Sequence, residues 1–144
     1  MPQIEFHILS EAGDDLRMRH ACKLVDAVYE KAQRVFVRVG SDADARRFDE
    51  LLWTFRDQAF IPHEIVAATS PSHPRIMALI GIDSASPPEF ATTLINLSND
   101  MPISFASFDH IFEVVDADPH HKQLARERYK QYRERGCTLE TKTL

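Results

Sequence analysis

The hydrophobic period of this chain changes twice between Ile4 and Val39, and that change limits the folds open to it. Ile4 to Leu9 (IEFHIL) reads as a strand closed by the polar turn SEAGDD. From about Asp15 to Gln33, Met18, Ala21, Cys22, Val25, Val28, Tyr29 and Ala32 recur at three- and four-residue spacing, one apolar stripe of a helix. Arg34 to Val39 (RVFVRV) is a second strand, closed by Gly40. Ser41 or Asp42 can cap the next helix by accepting a hydrogen bond from its free N–H groups. Two strands joined by one helix of this length imply a right-handed parallel crossover and an α/β sheet.

Later segments extend the pattern. Arg75 to Ile82 (RIMALIGI), Thr93 to Leu97 (TLINL) and His110 to Val115 (HIFEVV) are further strand candidates. Pro71, Pro74, Pro87, Pro88 and Pro102 mark the connections between them. Strand order beyond the first pair does not follow from these signals. At 144 residues, 44% hydrophobic and 27% charged, the chain suits one domain spanning residues 1–144. No apolar run approaches the roughly 20 residues of a membrane span, and the N-terminus has no basic stretch leading into an apolar block, so a soluble cytoplasmic protein is expected. Cys22 and Cys137 have no framework spacing and are expected to be free thiols.

An α/β start raises the question of a nucleotide. The chain has only Gly13, Gly40, Gly81 and Gly136, so neither G-x-G-x-x-G nor G-x-x-x-x-G-K-[ST] occurs, and no cofactor is expected. The histidines (His7, His20, His63, His73, His110, His120, His121) form no H-E-x-x-H and pair with no cysteine at ligand spacing. No serine sits in a G-x-S-x-G elbow. Asp14 with Asp15, and Asp42 with Asp44, stand near helix starts, where complementing the helix dipole accounts for them. No intrinsic catalysis is expected.

Two features need more than a structural reading. The chain carries −5 overall, yet six Lys and Arg from Lys122 to Arg135 face only Glu127 and Glu134 in HHKQLARERYKQYRERG. On a helical wheel Lys122, Arg126, Tyr129, Lys130 and Arg133 share an arc of about 100°, with Leu124, Ala125 and Tyr132 opposite as the core stripe. A solvated charged face is one reading. The other is a small acidic-aromatic docking site, because both glutamates project outside the arc, at about 140° and 120° from Lys122, and leave the arc itself without acidic partners. The second feature is FDELLWTFRDQAFIPH. Phe48, Leu51, Leu52 and Phe55 form the buried stripe of the second helix, while Trp53 falls out of phase and Phe60 follows in a segment bounded by Pro62. Trp53 can lid the edge of the core, or it can serve with Phe60 as an interface anchor.

With FDELLWTFRDQAFIPHEI followed far downstream by KQLARERYKQYR, and with IEFHIL, PPEF and LINL in matching order, the chain resembles the chi subunit family of bacterial DNA polymerase III holoenzyme over essentially its whole length. The resemblance implies a single-domain, three-layer Rossmann-like α/β fold with a mainly parallel sheet, no nucleotide site and no catalysis. It also implies a heterodimer with the psi subunit, which ties the protein to the clamp loader in DNA replication. A second partner is the acidic C-terminal tail of single-stranded DNA-binding protein. The family's tail site carries over to Lys122, Arg126, Tyr129 and Lys130, with Arg133 on the same arc and Arg126 as carboxylate partner; the psi-facing surface carries over to Trp53 and Phe60. A helicase-like protein competes for that surface in some relatives. Asp118 stands where an apolar wall residue of the tail pocket is expected. The rival class is a direct single-strand binder that stacks bases on Tyr129 or Trp53. A third, an α/β enzyme without its usual motif, would need a bound metal or nucleotide.

Overall fold

A computed structural model describes residues 2–55, 61–65, 76–82, 91–102 and 105–144. In chain order the elements are β1 (Gln3–Ile8), α1 (Asp14–Glu30), β2 (Val35–Arg38), α2 (Asp42–Thr54), β3 (His63–Ile65), β4 (Ala78–Gly81), β5 (Thr93–Asn96), a 3-10 turn (Phe105–Ser107), β6 (His110–Val115), α3 (Pro119–Glu134) and β7 (Thr138–Thr143). The strands form one sheet in the order β3-β4-β2-β5-β6-β1-β7, and each of the six pairings is parallel.

Strand alternation divides the core into two layers. Val35, Val37, Ile80, Ile95 and Val114 pack with Met18, Val25, Phe48 and Leu52 of α1 and α2. Ile4, Phe6, Phe36, Leu79, Leu94 and Ile111 face the other way and pack with Phe105, Ala125 and Tyr132. The sheet is thus the middle of three layers, as the resemblance implied. Ser41 caps α2, its hydroxyl accepting from the Asp44 N–H at 3.1 Å. Cys22 and Cys137 are free and buried, and no helix among the described residues is long and apolar enough to cross a membrane.

The structure corrects several expectations. β1 and β2 share the sheet but are not neighbours; β5 and β6, from later in the chain, lie between them. α1 stops short of Gln33 because Ala32 turns into the left-handed region at φ 57, where its N–H reaches the Tyr29 carbonyl at 2.8 Å. β3 and β7 were not foreseen. β7 is an edge strand whose residues are mostly exposed, so it shows no apolar alternation. Pro71, Pro74, Pro87 and Pro88, and Arg75 of the third strand candidate, lie outside the described residues.

Gly13 opens α1 at φ 146, a conformation that favours glycine, and its N–H donates to Asp116 Oδ2 at 2.9 Å. Asp116 is almost fully buried. Burial opposes its charge, but the Gly13 N–H and the His121 ring, 2.7 Å from Oδ1, hold its carboxyl below the usual range. The strand-to-helix turn that would approach a phosphate in a nucleotide-binding domain instead presents its N–H to this internal carboxylate.

Candidate functional site

Packing α3 over β1 and β6, beside β7, leaves a cleft of about 300 Å³ lined by Phe6, Ile8, Val115, Lys122, Ala125, Arg126, Tyr129 and Thr141. Its floor comes from side chains that point towards α3 from β1 and β6. Its wall is the α3 face. Tyr129 leans on Phe6 with ring centroids 5.5 Å apart at 55°, which fixes an aromatic surface beside the cations. Asp118 caps α3, accepting from the His120 and His121 N–H groups at 2.8 and 3.1 Å, with Pro119 in the first turn. Asp118 therefore starts the helix, and Phe6, Ile8 and Val115 supply apolar surface from the sheet.

Of the five arc residues, Lys122, Arg126 and Tyr129 line the cleft. Lys130 and Arg133 are exposed further along the helix and do not. Among the described residues no carboxylate lies within ion-pair distance of Lys122, Arg126, Lys130 or Arg133. Other cations are paired: Arg47 with Asp15 at 2.9 Å, and Lys142 with Glu5 at 2.7 Å. Phe6, Ile8, Val115 and Thr141 were missed by sequence reasoning. The first two were visible as alternate residues of IEFHIL, but nothing local tied them to a helix more than a hundred residues away.

The opposite side of α3 differs from expectation. Ala125 and Tyr132 are buried, but Leu124 is only partly so, and Arg128 takes its place in the core at 3% exposure. Arg128 Nε donates to Glu113 Oε1 at 3.2 Å, and its Nη1 donates to the Asn99 carbonyl at 2.7 Å. Tyr132 donates to Glu113 Oε2 at 2.7 Å, the Asn96 amide donates to both Glu113 oxygens at 3.0 Å, and Arg38 donates to Asn96 Oδ1 at 2.9 Å. Burial, and next the Glu113 charge, push the Tyr132 phenol well above its ordinary range, so it stays a donor. One of the six cations of the basic segment is thus structural.

Trp53 is 51% exposed, out of phase with the stripe in which Phe48 and Leu52 are buried and Leu51 and Phe55 partly so. Its ring lies 4.5 Å from that of His63, which is held by the Ile61 carbonyl at 2.6 Å and has Asp49 at 3.3 Å. Trp53 therefore sits over β3, at the opposite end of the sheet order from the α3 cleft. Phe60 lies outside the described residues. No group of three or more His, Cys, Asp or Glu among the described residues could hold a metal ion.

Comparison with known proteins gives a consistent picture. The family model described as DNA polymerase III chi subunit, HolC, matches residues 1–140. The chain is similar to DNA polymerase III subunit chi of Pseudomonas aeruginosa (28% identical over 141 residues, 97% of this chain and 95% of that one) and of Haemophilus influenzae (31%, 97% and 96%). The Escherichia coli protein of the same name is 34% identical over 126 residues, 85% of this chain and 82% of that one. Among solved structures, T4 UvsW superposes with a TM-score of 0.71 at 9% identity, over 99% of this chain. A DEAD box protein from Methanococcus jannaschii gives 0.61 at 12%, also over 99%. This chain spans only 41% and 42% of those two chains, and the likeness is one of fold.

Proposed function

We propose that this chain, which belongs to the DNA polymerase III chi subunit family, is a non-catalytic adaptor of the clamp-loader assembly in the bacterial cytoplasm. In this reading it joins the psi subunit to the C-terminal tail of single-stranded DNA-binding protein. The observation that carries the reading is the α3 cleft, where Lys122 and Arg126, with no carboxylate at ion-pair distance among the described residues, stand beside an apolar floor and the Tyr129 ring. A peptide with several carboxylates and a terminal Phe needs that combination: a guanidinium for the end carboxylate, further cations for the acids and an apolar wall for the ring. Lys130 and Arg133 extend the positive field beyond the cleft. They act at longer range, and salt weakens their contribution first.

Titration of a labelled acidic tail peptide, with labelled oligo-dT in parallel, tests this. Arg126→Ala should weaken the peptide by about 1.5–3 kcal/mol, the worth of a charge-assisted hydrogen bond, with no change in melting temperature. Tight oligo-dT binding with none of the peptide would instead favour a direct single-strand binder.

Trp53 and Phe60 form the psi-facing surface in this reading, which also serves where a helicase-like protein competes. Trp53→Ala should lower psi affinity by about 2 kcal/mol, roughly thirtyfold, in a co-purification series. Peptide binding should be unaltered, since the two sites share no partner residues. Loss of both activities together with a lowered melting temperature would make Trp53 a lid on the core instead.

A further inference from the structure

On the other face of the sheet from the α3 cleft, a groove of about 540 Å³ runs along α1, with Leu16, Arg19 and Lys23 of that helix, Phe55 and Leu144 among its lining. It lies past the carboxyl ends of β1 and β7, the side of a parallel sheet on which open α/β folds place their ligands. Leu16, Arg19, His20 and Lys23 follow the i, i+3, i+4, i+7 rule, a second stripe of α1 distinct from the buried one. Three large apolar side chains stand exposed among the described residues: Leu16, Trp53 and Leu144. Two of the three border this groove. Exposed apolar surface gathered beside polar groups marks an interaction site more often than scattered exposure does.

Charge selects the occupant. Among the described residues, Arg19 and Lys23, one turn apart, have no carboxylate within ion-pair distance, and Glu11 is the one acidic side chain in the lining. Burial and the neighbouring His7 and Lys23 lower the His20 pKa to about 4, so at neutral pH it adds a neutral ring to the wall. The groove thus repeats the chemistry of the α3 cleft, with two cations at i, i+4 spacing beside an apolar wall.

We infer that the α1 groove is a second, weaker docking site for the same kind of acidic tail. The tail's apolar residue would lie between Leu16, Phe55 and Leu144, and its carboxylates against Arg19 and Lys23. The choice of occupant rests on the reading of the α3 cleft given above, and the test separates the two.

Amide chemical shifts of the full chain are followed while the acidic tail peptide is added to several equivalents, for wild type, for Arg126→Ala and for the double variant Arg19→Glu/Lys23→Glu. The expected result is two classes of shift, with the residues around Leu16, Arg19 and Leu144 saturating at about tenfold or more higher peptide concentration than those around Arg126. Arg126→Ala should weaken only the first class, and Arg19→Glu/Lys23→Glu should remove only the second, with both variants melting as wild type does. A failure of Arg126→Ala to weaken the first class would overturn the α3 reading and leave the groove's own response to be read separately. Saturation at one equivalent without shifts along α1 would overturn the inference. So would an α1 response to oligo-dT that the peptide does not produce.

Discussion

Arg128→Ala is expected to lower stability by about 3–5 kcal/mol, while Arg126→Ala, two residues earlier on the same helix, leaves it unchanged. Glu113 is fully buried in β6, and Arg128, Tyr132 and Asn96 all donate to its carboxylate. Removing the guanidinium takes away a charged donor to this buried carboxylate and leaves it the neutral donors Tyr132 and Asn96, with Arg38 donating to Asn96 in turn. It also releases the Asn99 carbonyl in the connection after β5. For a domain of this size a loss of that order lowers the melting temperature by on the order of 10 °C. Urea denaturation measures it directly, and a loss below about 1 kcal/mol would show that the pair does not bear on stability. The double variant Arg128→Met/Glu113→Gln should recover much of the loss, because neither a lone charge nor an empty volume then remains. Since α3 is anchored through this network, the cleft residues on its other side owe their fixed register to it.

The contrast between these two arginines marks where sequence reading reached and where it stopped. Periodicity and the cap signals placed β1, α1, β2, α2, β6 and α3 within a few residues, because each is a local pattern of burial. The parallel sheet followed from the first strand, helix and strand. The insertion of β5 and β6 between β1 and β2 did not, because it depends on pairings between distant segments. The cationic wall of the cleft was legible because helical phase gathers Lys122, Arg126 and Tyr129 on one face. Its floor was not, since Phe6 and Ile8 come from the first strand and Thr141 from an edge strand that is polar almost throughout. Arg128 could have been found: it falls about 40° from both Leu124 and Tyr132, inside the stripe already read as core. A cation at a core phase implies a buried acid, and Glu113, inside an otherwise apolar strand, is the partner.

Acid should unfold the protein in two overlapping steps that begin on the other face of β1. His20 on α1 lies 2.7 Å from His7, which lies 3.1 Å from Glu5; Glu5 is also 3.1 Å from His110 on β6 and 2.7 Å from Lys142 on β7. Burial, then the His7 and Lys23 charges, lower the His20 pKa from an ordinary 6.5 to about 4. The unfolded chain therefore takes up this proton first, so the contribution is whole above pH 6.5 and is lost as pH falls towards 4. For Glu5, burial alone would raise the pKa, but hydrogen bonds from Lys142, His7 and His110 outweigh it and bring the value from 4.5 to about 2. Its contribution is whole above pH 4.5 and is lost as pH falls towards 2. Shifts of this size correspond to about 3 kcal/mol each, and Asp116, also held below its usual range, adds to the lower step. Urea melts from pH 7 to pH 2.5 measure both steps. His20→Gln should flatten the upper one. Glu5→Gln should reduce stability at pH 7, where Lys142, His7 and His110 lose their carboxylate, and make the fall below pH 4.5 shallower than in wild type. A wild-type stability constant between pH 7 and pH 4.5 would refute the role given to His20. An undiminished acid step in Glu5→Gln would move the lower transition to other carboxylates.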